Sequence, residues 1–373
     1  MNQLPALANA HFHLPSPQFI KSALDEMVIG QHGAKIMLSI GAYNHYKRVM
    51  RASAAPVATD CEIAKSNIMI YGPTGCGKTE LNRALARILN VPFGIFDATK
   101  VTEAGYVGED VENIVLPMLQ NADYNIEKAK FGIVYIDELD KKARKNESAS
   151  ITRDVSGEGV QQALLTMVEG TTLNVPPQGG RKHPQQDFLK LDTHNILFIV
   201  GGAFVGLDKI VEHRLEQESD DGASTFGFTG KPKEKKEGTV DTSHLYRHVT
   251  APDLVKFGLI PELVGRFPVR AGLHALSIND LTRILTEPKN SLINQQKSLV
   301  AGDVELSFED DALVAIAEAA VKFRTGARGL REIVEDVMLP INFLRPRSAT
   351  VTRKMVEERH ANVNRLIDAA EAA

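Results

Sequence analysis

Asn67-Ile68-Met69-Ile70-Tyr71-Gly72-Pro73-Thr74-Gly75-Cys76-Gly77-Lys78-Thr79-Glu80 is the stretch that decides the fold. Its first five residues read as a buried strand. Residues 72–79 fit G-x-x-x-x-G-K-[ST], and Leu81, Ala84, Leu85 and Ile88 then recur at helical spacing. Strand, glycine-rich loop and amphipathic helix together form a phosphate cradle. The glycines let backbone N–H groups face phosphate oxygens, and the helix start adds its positive dipole end. Lys78 supplies a point charge to the β and γ phosphates, and the Thr79 hydroxyl can ligate Mg²⁺.

Working outward, Phe93-Gly94-Ile95-Phe96, Gly132-Ile133-Val134-Tyr135-Ile136 and Asn195 to Val200 read as further short apolar strands. Continuous apolar strands alternating with helices predict an α/β fold, a parallel sheet covered on both faces. The strand at 132–136 ends in Asp137-Glu138, which places two acids at the carboxyl edge of the sheet beside the phosphate loop. Asp137 is expected to hold the Mg²⁺ shell, and Glu138 to polarise the attacking water. ATP hydrolysis, rather than binding alone, is the chemistry this pair predicts.

The 373 residues suit two domains or one large α/β domain with a lobe. Hydrophobic residues make up 43% and charged residues 24%, ordinary for a soluble globular protein. Net charge is −4 and the pI about 6.3, so nothing demands nucleic acid as a partner. Cys61 and Cys76, the two cysteines, cannot make an all-cysteine zinc site. Met1 to Pro15 carries neither Lys, Arg nor a long apolar run, and no stretch approaches the ~20 apolar residues a membrane helix needs. A reduced cytoplasm without membrane attachment is the expected setting.

Pro17 to Met50 reads as helical, broken at Val28-Ile29-Gly30-Gln31, and Arg51 to Cys61 as a loop. Glu216 to Asp241 reads as a long polar loop. After Pro268 no Val/Ile run returns. Leu281 to Ala320 and Gly329 to Leu339 look helical around a short extended piece at 304–306, and Met355 to Ala370 is a charged helix candidate. The division expected is an N-terminal segment (1–61), a large ATPase domain (62–271), a smaller mainly helical domain (272–345) and a C-terminal tail (346–373).

Several further segments resemble one family, the ClpX proteins among the AAA+ ATPases. Val28-Ile29-Gly30-Gln31 resembles the adenine-side motif, and Gly105-Tyr106-Val107-Gly108-Glu109-Asp110 the first pore loop. Residues 153–162, from Arg153 to Gln162, resemble the second pore loop and the helix behind it. Arg181-Lys182-His183 is similar to the basic loop at the pore entrance. Leu259 to Arg266 resembles the arginine-finger segment, and Gly326-Ala327-Arg328-Gly329-Leu330-Arg331 the sensor 2 segment. The match runs from about Leu14 to Arg345.

The resemblance implies a homo-oligomer, a hexameric ring, that unfolds proteins bearing unstructured tags and feeds a ClpP-like peptidase. It implies ATP and Mg²⁺ as cofactors, with Val28, Ile29, residues 72–80 (Gly72, Pro73, Thr74, Gly75, Cys76, Gly77, Lys78, Thr79 and Glu80), Asp137 and Arg328 at the nucleotide, and Thr79 and Asp137 at the metal. Lys78, Glu138 and Arg266 are the expected catalytic residues, Arg266 reaching the neighbouring subunit's nucleotide. Tyr106, Val107, Arg153, Arg181, Lys182 and His183 would line the substrate path. The residues around Tyr106 alone do not choose between gripping a substrate and packing on its own subunit; the resemblance chooses the first.

Departures also stand out. ClpX proteins usually begin with a zinc domain carrying paired Cys-x-x-Cys motifs, which do not occur here, so no zinc is expected. The peptidase-docking tripeptide, aliphatic-Gly-Phe in the family, reads Phe226-Gly227-Phe228. Pro117 should kink or interrupt the helix after the first pore loop. The strand expected after Arg345 looks replaced by polar residues. Gly201-Gly202 offers no polar side chain to read the γ-phosphate. Competing readings are a stand-alone remodelling chaperone, a nucleic-acid-stimulated motor and a non-catalytic ring; the acidic balance opposes the second of these, and intact Lys78, Asp137, Glu138 and Arg266 the last.

Overall fold

The structure, a computed structural model, describes residues 14–53, 61, 63–101, 110–144, 155–176, 188–221, 243–323 and 325–371. The chain divides into two compact units. One comprises Met1–Lys21, His32–Pro73 and Lys78–His274; the other comprises Ser22–Gln31, Thr74–Gly77 and Ala275–Ala373.

Helix α1 (Pro17–Met27) leads through the break at Val28–Gln31 into α2 (His32–Ser53). The first unit then alternates β1 (Ile68–Tyr71), α3 (Lys78–Leu89), β2 (Phe93–Asp97), α4 (Leu116–Asn121), α5 (Ile126–Ala129) and β3 (Ile133–Asp137). It continues with α6 (Val155–Glu169), the hairpin β4 (Thr172–Val175) and β5 (Leu189–Asp192), β6 (Leu197–Gly202), α7 (Leu207–Asp221), α8 (Ala251–Phe257), α9 (Pro261–Gly265) and β7 (Val269–Gly272). Five strands make one sheet in the order β2-β3-β6-β1-β7, every pair parallel. β1, β3 and β6 are apolar and buried almost throughout, as strands covered on both faces must be. The neighbours in register are Tyr71 with Gly202 and Asp97 with Asp137, so the phosphate loop and the two acids leave the same edge of the sheet.

Close packing explains two of the glycines. A β-carbon on Gly94 would lie 2.4 Å from the backbone nitrogen of Met118, and one on Gly132 would lie 2.1 Å from the Met118 sulfur. α4 therefore lies directly on β2 and on the turn that leads into β3. Pro117 interrupts as expected: residues 111–115 are a 3₁₀ turn, and the α-helix begins at Leu116 with proline in its first turn, where no N–H is missed.

The second unit holds α10 (Ile278–Thr286), α11 (Leu292–Leu299), β8 (Glu305–Phe308), α12 (Asp310–Lys322), α13 (Ala327–Leu344), β9 (Ser348–Val351), α14 (Arg353–Glu357) and α15 (Arg359–Glu371). Its core includes Leu281, Leu285, Ile316, Leu330, Val334, Met338 and Val351. α10 starts on a reciprocal cap, Ser277 receiving the Asp280 N–H while the Asp280 carboxylate receives the Ser277 N–H.

Four expectations are corrected. A strand does follow Pro268: β7 pairs with β1 at the sheet edge, although only Val269 is β-branched. The strand after Arg345 is present as β9, parallel to β8, with Val351 fully buried and Ser307 and Thr350 hydroxyls 2.9 Å apart across the pair. Glu216 is not a loop start, because α7 continues to Asp221. The single helix read at 355–370 is two helices, α14 ending at Glu357 and α15 beginning at Arg359.

Candidate nucleotide site

In the first unit, β1 ends at Tyr71 and the chain turns at Gly72 with φ +155°, a region that favours glycine. A β-carbon there would lie 2.6 Å from the Leu273 carbonyl, so the turn hugs the strand beside it. Lys78 opens α3 and donates to the carbonyls of Gly72 (2.6 Å) and Pro73 (2.9 Å). Its ammonium is thereby folded back over the loop that precedes it. Thr79 is half-buried; Glu80 is exposed and turned to Arg83 at 2.7 Å. The Glu80 carboxylate thus points to its own helix, leaving its backbone N–H as the part suited to an anion.

β3 delivers Asp137 and Glu138. Asp137 Oδ1 accepts from the Tyr135 hydroxyl and from the Glu138 backbone N–H, both at 3.0 Å. Oδ2 has no hydrogen bond among the described residues. A carboxylate oxygen and the Thr79 hydroxyl are hard donors of the kind Mg²⁺ takes, so the residues fit that ion. Glu138 has φ +58°, a left-handed conformation uncommon for a residue with a β-carbon. This reverses the chain at the strand end and leaves the glutamate exposed while Leu139 and Asp140 turn inward. Held strain of this kind collects at functional positions.

Gly201 and Gly202 end β6, the strand between β3 and β1. Polar groups do stand there, supplied by β3 and the turn after it. A β-carbon on Gly201 would lie 2.4 Å from the Tyr135 hydroxyl oxygen, and one on Gly202 2.1 Å from Asp140 Oδ1. That Asp140 oxygen is buried with no hydrogen-bond partner among the described residues. Sequence reasoning missed Tyr135 and Asp140. Alternation along the strand, which puts residues 135 and 137 on one face, opposite two small residues, was the available signal.

Arg266 caps the C-terminus of α9 and is exposed, with Glu169 2.5 Å away. Its backbone is fixed from inside: buried Asn67 donates to the Arg266 carbonyl (3.2 Å) and accepts from Phe198 N–H. Buried Gln161 of α6 accepts from Ile260 N–H (2.8 Å) and donates to the Lys142 carbonyl, pinning the segment that leads to α9. A backbone fixed from inside and an exposed guanidinium, here paired with Glu169, suit a group that reaches outward.

In the second unit, Val28 and Ile29 are buried, Val28 lying 3.9 Å from where a Gly77 β-carbon would be. Gln31 donates to the Cys76 carbonyl (3.2 Å), and the Gly75 carbonyl accepts from Ala327 N–H (3.1 Å) at the start of α13. Arg328, the next residue, is exposed in that first turn and has no ion pair among the described residues. The Cys76 thiol is buried. Tyr106, Val107, Arg153, Arg181, Lys182, His183, Phe226, Gly227 and Phe228 lie outside the described residues. Among the described residues no helix is long and apolar enough to cross a membrane.

A five-stranded parallel sheet, a phosphate loop after β1 and an acidic pair after β3 define a P-loop ATPase. The sequence profile of the AAA domain (Cdc48 subfamily) matches residues 63–270, and that of the C-terminal, D2-small domain of ClpB protein matches residues 276–343. The ATP-dependent Clp protease ATP-binding subunit ClpX of Treponema denticola is 54% identical over 349 residues, which cover 92% of this chain and 81% of that protein. The chain belongs to the ClpX family of AAA+ ATPases.

Proposed function

We propose that this chain is an ATP-driven protein unfoldase that works as a hexameric ring in the cytoplasm. It draws tagged polypeptides through a central pore and passes them to a ClpP-like peptidase. The observation that carries this reading is the 54% identity, along nearly the whole chain, to a Clp protease ATP-binding subunit.

The residues supply the chemistry as follows. Backbone N–H groups of residues 72–80 and the start of α3 receive the phosphates, with Lys78 as the point charge. Thr79 and Asp137 hold Mg²⁺, which neutralises charge developing on the phosphates when bound. Glu138, exposed at the end of β3, orients and polarises the attacking water. Arg266 meets the γ-phosphate held by the neighbouring subunit, and Arg328 senses nucleotide within its own chain. Tyr106 and Val107 grip the substrate; Arg153, Arg181, Lys182 and His183 select it by charge; Phe226-Gly227-Phe228 anchors the peptidase.

Loss of fluorescence from a degron-tagged folded fluorescent protein tests this, with ATP, with and without a compartmental peptidase, and with Glu138→Gln as the inactive control. Peptidase-dependent loss supports the reading. ATP hydrolysis without any loss would instead favour a remodeller acting alone.

A further inference from the structure

We propose that Tyr135 is a positioning residue for the metal-side carboxylate: its buried hydroxyl fixes Asp137 in one rotamer and so sets the Mg²⁺ requirement of the site. The inference rests on the proposed role of Asp137 and goes beyond it, since Tyr135 is argued to act through the Asp137 carboxylate and not on nucleotide or metal directly.

Three observations carry it. The Tyr135 ring is completely buried in the central sheet, yet its hydroxyl reaches the strand edge and donates to Asp137 Oδ1 at 3.0 Å. The Glu138 N–H donates to the same oxygen at 3.0 Å. Two donors on one oxygen leave the other oxygen to face the metal, and they prevent the carboxylate from rotating to exchange the two. The third observation is the room made for the phenol. Gly201, on the adjacent strand β6, leaves a space that any side chain would close, because its β-carbon would lie 2.4 Å from the hydroxyl oxygen. An aliphatic residue at 135 would carry no hydroxyl and would need no such glycine opposite it. Groups that hold a metal ligand through a hydrogen bond commonly govern metal affinity by an order of magnitude or more.

The test is Tyr135→Phe, which keeps the ring and removes one oxygen. Binding of a fluorescent ATP analogue is titrated with Mg²⁺ and repeated in excess EDTA, beside the wild type and Asp137→Asn. The expected result is a rise of about tenfold in the Mg²⁺ concentration for half-maximal binding enhancement, at the lower end of the usual range. Affinity in EDTA should stay within about twofold, and a Tyr135→Leu variant should resemble Tyr135→Phe in its Mg²⁺ dependence. An unchanged Mg²⁺ midpoint in Tyr135→Phe overturns the proposal. So does an equal loss of affinity with and without Mg²⁺, which is what a merely structural role gives. If Asp137→Asn also binds with the wild-type Mg²⁺ midpoint, the assignment of Asp137 itself has failed, and the two failures are told apart.

Discussion

The ammonium of Lys78 donates to the carbonyl oxygen of Gly72, 2.6 Å away, at the opposite end of the loop it closes. With its second bond to Pro73, the lysine ties the loop into a ring before any phosphate is considered. Lys78→Ala therefore removes both the charge and the clasp. Hydrolysis should fall by at least about a hundredfold, and nucleotide affinity should fall with it, as read by fluorescent-nucleotide titration. Retained affinity would mean that the backbone N–H groups suffice.

Glu138 combines an exposed carboxylate with a left-handed backbone. Glu138→Gln should keep nucleotide binding and lose about 10²–10⁴-fold in turnover. Glu138→Asn should be equally inactive but no less stable, since Asn tolerates this conformation better. Melting temperature and steady-state ATPase rates check both statements.

Arg266 and Glu138 are proposed to meet across a subunit boundary. Arg266→Ala and Glu138→Gln should each be inactive alone. Mixed in equal amounts, they should recover roughly a quarter of wild-type turnover, because random assembly in a cyclic ring joins intact halves at that frequency. Absence of any recovery would place Arg266 in the site of its own chain.

His45 on α2 is completely buried, and burial lowers its pKa to about 3; a bond to the Asn195 carbonyl raises it, and Lys65 and Arg48 lower it. The carbonyl can only accept, so Nε2 carries the proton, and Nδ1 has no hydrogen-bond partner among the described residues. The unfolded chain binds a proton near pH 6.5 and the folded chain near pH 3. Stability from this residue is complete above pH 6.5 and is lost as pH falls toward 3, at up to about 1.4 kcal/mol per pH unit. Denaturant midpoints measured from pH 7 to 4 should drop more steeply in the wild type than in His45→Gln.

Gly94→Ala should cost about 1–3 kcal/mol through overpacking, since the new methyl meets the backbone of α4, which cannot turn aside. A drop in the urea midpoint with an unchanged slope is the expected signature.

The central strands were legible because burial on both faces writes them as unbroken apolar runs, as in Ile68–Tyr71 and Ile133–Ile136. β7 and β9 were not. Arg270 and Gly272 sit on an edge strand that is only half-buried, and in Ser348–Val351 only the last residue is covered, so neither leaves an apolar run. α7 outran its reading because Glu216 and Gln217 are polar yet good helix formers; polarity was mistaken for irregularity. At the site, Lys78, Asp137 and Glu138 were visible through motif and context. Tyr135 was hidden inside the apolar run that revealed its strand, since an aromatic ring counts there as core and the hydroxyl goes unnoticed.

The pairing of β8 with β9 has a consequence for how the chain is made. Glu305 leaves the ribosome long before its partner Ser348, with α12 and α13 emerging in between. The helices can form on local contacts as they appear, but β8 stays unzipped until β9, made after both of them, arrives. A nascent chain stalled before Ser348 would carry a bare strand edge and leave Leu306 with its cover incomplete, the kind of surface that chaperones bind and proteases cut.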